Sequence, residues 1–181
     1  MGTTRPIAGT ASTASAGRNG HEITAAVQTS YALETRLIEV TPRAGLDYVR
    51  LLEPGFAEAG AGAYDLAGKD TTTDSLRPFI GATVTRRFVT SDGTALAPEL
   101  GLTYSHEVAS VNRTITLEPA GTGVDFVTSG VAPSRDNVTL STGLTVRARA
   151  TLDLYVDYDA ELHAGNHASQ TISAGLQYRF N

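Results

Sequence analysis

The sequence predicts an all-β protein: an antiparallel meander of about seven to eight membrane-spanning strands of the transmembrane β-barrel kind. Three observations predict it. Apolar and polar residues alternate with period two through seven separate segments. The connections between those segments run short, long, short, very long, short and medium, so long connections collect at one end and tight turns at the other. The polar faces carry charges of both signs beside recurring glycines, while aromatic residues gather near the segment ends.

Residues 1–20 read as a flexible segment, or as what is left of a preceding strand or loop, because residues 8–20 are rich in Ala, Thr, Ser and Gly. The alternation begins at 21–34, with Ile23, Ala25, Val27 and Tyr31 on one face, and a polar turn follows near Glu34–Arg36. In 37–50, Ile38, Val40, Ala44, Leu46 and Tyr48 oppose Glu39, Arg43, Gly45 and Asp47. Pro42 lies inside this run and marks it as an edge or bulged strand. Residues 52–71 are Gly/Ala-rich and too many for a tight turn.

In 74–89, Leu76, Ile80, Val84 and Phe88 face one way and Arg77, Phe79, Gly81 and Arg87 the other. Arg86 interrupts the apolar face near one end, where a long basic side chain snorkels to an interface. Asp92-Gly93 is a hairpin signal. In 95–108, Leu96, Leu100, Leu102 and Tyr104 oppose Glu99, Gly101 and Thr103. The excursion at 109–134 contains a candidate hairpin, 114–118 against 124–128. Two strands follow around a tight turn: Val138, Leu140, Leu144 and Val146 oppose Gly143 and Arg147, then Leu152, Leu154, Val156 and Tyr158 oppose Asp153, Tyr155 and Asp157. Residues 161–168 read as a medium loop. In the last strand Ile172, Ala174, Leu176, Tyr178 and Phe180 oppose Gly175, Gln177 and Arg179.

Alternation alone does not say whether the apolar face is a core or a lipid contact. Arg43, Asp47, Arg77, Glu99, Arg147, Asp153, Asp157 and Arg179 share the polar faces with Gly45, Gly81, Gly101, Gly143 and Gly175. Glycine in mid-strand is costly and calls for close approach or curvature, with Phe79 or Tyr155 lying over the gap. Mixed charges beside glycine fit a narrow polar lumen, so these eight charged residues are the expected lumen lining. Tyr31, Phe88 and Phe180 fall toward the short turns, and Tyr48, Tyr104 and Tyr158 toward the long connections, as two aromatic belts. The competing reading is a soluble antiparallel barrel or sandwich with the apolar faces inward.

Composition narrows function further. The 181 residues suit one sizeable domain, with no run of 18 apolar residues for a transmembrane helix. A net charge of −5 argues against nucleic acid as a partner. Zero cysteines exclude disulfides, thiolate metal sites and Cys nucleophiles. No secretory leader is legible at the start, so an outer-membrane protein is expected to be a fragment or to lack its front. His163 and His167 with Glu161 form no complete ligand set. Ser105-His106-Glu107 is no triad, since neighbouring strand residues point to opposite faces. The Gly-rich 55–67 lacks the Lys-Ser/Thr of a phosphate loop. No enzyme, cofactor or metal is expected.

Several runs carry a family resemblance: 55–63 (GFAEAGAGA), 74–78 (DSLRP), 98–107 (PELGLTYSHE), 126–136 (FVTSGVAPSRD), 158–161 (YDAE) and 175–180 (GLQYRF). In order and spacing over residues 20–181 they resemble the C-terminal translocator domain of type V autotransporters. The resemblance implies a twelve-stranded barrel in a Gram-negative outer membrane that helps export its own N-terminal passenger. It also implies insertion by the Bam machinery, which would read the terminal strand, Ile172, Leu176, Tyr178 and Phe180, as its signal. Against that pattern only seven family-like strands are legible, so the resemblance implies a partial barrel without the first five strands, the pore-threading helix and the passenger, and Asn181 follows the terminal aromatic. The alternative is a small independent outer-membrane barrel acting through its external loops, which requires residues 3–13 to pair with 168–180.

Overall fold

The computed structural model describes residues 2–149, 151–163 and 168–180, and over these it is all-β apart from a 3-10 turn at Gly62–Tyr64. In chain order the strands are β1 Gly2–Pro6, β2 Thr13–Gly17, β3 His21–Ser30, β4 Leu33–Glu34, β5 Glu39–Glu53, β6 Phe56–Ala57, β7 Leu66–Gly68 and β8 Thr71–Thr85. Then come β9 Phe88–Val89, β10 Ala95–His106, β11 Thr114–Pro119, β12 Phe126–Ser129, β13 Asp136–Arg149, β14 Leu152–His163 and β15 Ala168–Tyr178. The seven expected strands are β3, β5, β8, β10, β13, β14 and β15, hydrogen-bonded in the order β15-β14-β13-β10-β8-β5-β3. This is a meander, with β3 and β15 as its two edges among the described pairings.

Register keeps each face uniform across the sheet. Ala82, Leu102, Leu140 and Ala160 are successive partners in one row, and Thr83, Gly101, Ser141 and Asp159 in the next. Because side chains alternate, one face is apolar and the other polar from β8 to β15.

Proline acts here through the neighbouring strand. β5 runs unbroken through Pro42, but the ladder opposite it is interrupted between β3 and β4, where Tyr31 N–H donates to the Pro42 carbonyl at 3.2 Å. Pro42 has no N–H to return that bond. The same happens between β8 and β9, where Arg86 N–H donates to the Pro98 carbonyl at 3.1 Å. The expectation that Pro42 weakens its own strand is thus corrected: the cost falls on the partner. The tight turns are as expected, with Thr35 closing 35–38 and Gly93 at φ 87° closing the Asp-Gly hairpin. The expected medium loop is shorter than read, because β14 continues to His163; residues 164–167, including His167, lie outside the described residues, as does Asn181.

The chain separates into two compact units, each made of three sequence segments. The first comprises 1–25, 48–76 and 109–133, and the second 26–47, 77–108 and 134–181. In the first unit, residues 2–17 form the β1–β2 hairpin, and β12-β11-β7-β6 form a four-stranded sheet. Reciprocal bonds of 2.9 Å between Ser15 and Ala59 join hairpin and sheet. The expected hairpin at 114–128 is β11–β12, with Leu117 opposite Phe126. Among the described residues, β1 pairs with β2 and β15 with β14 alone, which does not favour the small-barrel alternative.

The second unit settles which face is withdrawn from solvent. Ile80 is 64% exposed and Leu102 56%, while Asp153 is 6% exposed and Gly101 is buried. A soluble barrel or sandwich would bury Ile80, Leu100, Leu102, Leu140 and Leu144. Here they are exposed, and the residues that β10, β13 and β14 bury, Gly101, Asn137 and Asp153, lie on the polar face.

Candidate functional site

The polar face of the second unit is a wall of paired charges and close glycine contacts. Near the tight turns, Arg147 Nε donates to Asp153 Oδ1 at 2.9 Å and Arg179 Nη2 to Oδ2 at 2.5 Å. Two guanidiniums, from β13 and from just beyond β15, thus share one buried carboxylate, leaving no uncompensated charge under cover. Arg87 and Glu39 form a second ion pair, and Arg43 Nη2 donates to Thr103 Oγ1 at 2.5 Å. Ser141 Oγ donates to Asp159 at 2.6 Å.

At the opposite end of the strands, Arg77 Nε donates to Glu107 Oε2 at 3.1 Å, and Arg135 Nη1 donates to the Glu107 carbonyl at 2.9 Å. Glu107 is 1% exposed. It extends the polar parity of β10 by one residue beyond the strand end, and that parity is the signal by which the sequence marks it. Neighbouring His106 faces the other way, against Asp136 at 2.8 Å, where Tyr104 also donates at 2.6 Å. Ser105, His106 and Glu107 therefore do not converge.

The glycines make room for large partners. A Cβ at Gly45 would lie 2.5 Å from Phe79 Cζ and 2.6 Å from the Val27 carbonyl oxygen. One at Gly175 would collide with the Tyr155 phenol, and one at Gly143 would meet Asp157 Oδ1 at 2.5 Å and Glu99 Cγ at 2.9 Å. Of the eight residues expected to line a lumen, Arg43, Arg77, Arg147, Asp153 and Arg179 are engaged in side-chain bonds on this face, and Glu99 and Asp157 meet above Gly143. Asp47 is exposed and forms no ion pair among the described residues.

The apolar face shows the complementary adaptation. Thr142, its one hydroxyl between Leu140 and Leu144, donates to the Glu99 carbonyl at 3.3 Å, so its polar atom is satisfied within the sheet. Tyr31, Phe88, Tyr104 and Phe180 are exposed and Tyr48 and Tyr158 half-buried. On β15, Ile172, Leu176 and Tyr178 are exposed along the sheet edge, and the Tyr178 and Phe180 rings meet edge-on with centroids 4.9 Å apart.

Outside the sheet, Arg5 binds Glu58 through two bonds, 3.3 and 2.5 Å, and Glu58 also accepts the Leu66 N–H at 3.0 Å. The Arg5 guanidinium holds the Glu58 carboxyl below its ordinary range. In the β9–β10 turn, bonds from Thr90 and then Thr94 lower the Asp92 carboxyl likewise.

The family model described as Autotransporter beta-domain matches residues 1–159, which includes the β1–β2 hairpin and stops short of β15. No curated protein sequence matches the chain.

Proposed function

The chain belongs to the autotransporter beta-domain family, and from that premise we propose that it anchors in the outer membrane and mediates export or surface display of an N-terminal passenger. The observation that carries this reading is the inverted burial of the second unit. An exposed apolar face opposite a covered polar one suits strands with lipid on one side and an aqueous conduit on the other. In this reading the paired charges line the conduit, outer-membrane lipid wets Ile80, Leu102 and Leu144, and the long connections, 52–71 and 109–134, face the cell exterior. No catalytic step is assigned to the domain. Insertion falls to the Bam assembly machinery, with the apolar edge of β15 as its signal.

The test is an epitope placed ahead of this domain in its natural polypeptide, in a Gram-negative host. Surface protease should remove the epitope while the β-domain stays in the outer-membrane fraction with heat-modifiable gel mobility. An epitope retained in the periplasm despite an inserted domain contradicts the export role.

A further inference from the structure

The first unit contains a cleft of about 360 Å3 for which the conduit has no use. It lies between Glu53 at the end of β5, Asp70 to Thr73 at the start of β8, and residues 112–116 with Gly130. That volume falls at the lower end of the roughly 300–1,000 Å3 of small-molecule sites. Its lining differs from most such sites, because Ile115 is its one large apolar side chain among the described residues. Thr72 and Thr73 face opposite ways on β8, so one of the two hydroxyls turns into the cleft; it and the side chains of Asn112, Thr114 and Thr116 make no hydrogen bond within the described residues.

Each of those hydroxyls donates one hydrogen bond and accepts two, and the amide does both. Their ideal ligand also donates and accepts at closely spaced atoms, which is the chemistry of a polyhydroxylated ring. The other ligand classes fit less well. Glu53 and Asp70 repel an anion, leaving only Arg113 to attract it, and one Asp70 oxygen already takes the Gly55 N–H at 2.5 Å. Among the described residues no three His, Cys, Asp or Glu side chains are placed to hold a metal ion. A nucleobase needs an open aromatic face, and the nearby Phe56 ring is covered by the Arg18 guanidinium, 3.9 Å from its centroid. Threonine is restricted at χ1, so its hydroxyls are held with little rotamer freedom left to lose on binding.

We propose that this cleft binds a neutral saccharide, which the proposed topology, on which its biological access rests, offers from outside the cell. The experiment uses the full chain folded in amine-oxide micelles, which carry no sugar headgroup. Maltotriose, cellotriose and N-acetylchitotriose are titrated by saturation-transfer NMR, with inorganic phosphate as the charged control. At least one trisaccharide should bind with Kd of about 1 mM or tighter. Thr72→Val with Thr114→Val, which keeps the β-branched shape, should weaken it about tenfold at unchanged gel mobility, and Asn112→Ala alone should weaken it less. Binding of none of the three, binding of phosphate instead, or undiminished binding by both variants overturns the proposal. Thiol labelling of Thr72→Cys in cells reports separately on topology. If it is labelled only from the periplasm while the trisaccharide binds, the exterior placement fails and the site stands.

Discussion

Among the described residues, the first unit buries three small apolar residues, Ala14, Ala16 and Ala61, and one carboxylate, Asp65, which accepts the Ala61 N–H at 2.9 Å; the second buries the polar side chains Glu107, Asn137 and Asp153 and no large apolar one. The first unit thus puts small apolar groups inside and ion pairs such as Lys69–Asp125 toward solvent. The second unit follows the opposite rule with the same period-two alphabet. Period fixes that a strand has two different faces, and the medium outside fixes which of them is covered. The large exposed side chains have different meanings in the two units. Val127 on the β12 edge is exposed to water, whereas Leu102 belongs to a continuous apolar row spanning four strands.

Charge placement breaks this comparison most strongly. Leu102→Arg should destabilise the domain in lipid vesicles by about 2–4 kcal/mol, the cost of arginine at the midplane of a barrel's lipid face. Val127→Arg should stay within about 0.5 kcal/mol, as an ordinary surface substitution. Urea titration of the folded fraction, read by heat-modifiable mobility, measures both. Equal effects would remove the distinction between the units. Next in size, Tyr178→Asp or Phe180→Asp should lower the inserted fraction in cells while leaving unassisted folding in detergent nearly unchanged. An unaltered inserted fraction would refute the signal role of β15.

Glycine substitutions sharpen the picture of the polar face. Gly45→Ala and Gly175→Ala should each cost about 1–3 kcal/mol through overpacking. Tyr155→Ala should largely rescue Gly175→Ala, since the phenol is what the new methyl meets. Phe79→Ala should rescue Gly45→Ala only in part, because the Val27 carbonyl remains in the way. Full rescue of both would show that the backbone contact is unimportant.

The smallest effect belongs to the first unit. The Glu58 carboxyl is lowered by Arg5, so its contribution is complete above the ordinary carboxyl value of about 4.3 and is lost as pH falls through the lowered value. Amide exchange in residues 2–17 should accelerate over that acidic window, and Glu58→Gln should flatten the dependence. Acceleration beginning near neutral pH would assign the effect to another group.

The seven strands and the turns at 35–38 and 90–94 were legible because each rests on local signals, alternation and turn chemistry. That Phe79 and Tyr155 lie over mid-strand glycines was legible for the same reason, and the structure assigns them to Gly45 and Gly175. The first unit was not, because it joins pieces far apart in sequence. Arg5 and Glu58 are separated by 53 positions, and β6 and β7 are too short to show a period. For the polar face, parity placed Arg147, Asp153 and Arg179 on one side, but their convergence depends on the β13–β14–β15 register, which turn lengths set. The Pro42 expectation failed on geometry, since the missing N–H is felt by the strand that would have received it.

The central claim is that the apolar face of β10 contacts lipid. The sequence contains no tryptophan, so single Trp substitutions at Leu100, Gly101, Leu102 and Thr103 give clean signals. Positions such as Gly101, buried beside Thr83 and Ser141, need a folded-fraction check by gel mobility. In vesicles with brominated acyl chains, fluorescence should be quenched at 100 and 102 and spared at 101 and 103. Quenching at 101 and 103, or quenching without alternation, would contradict the account.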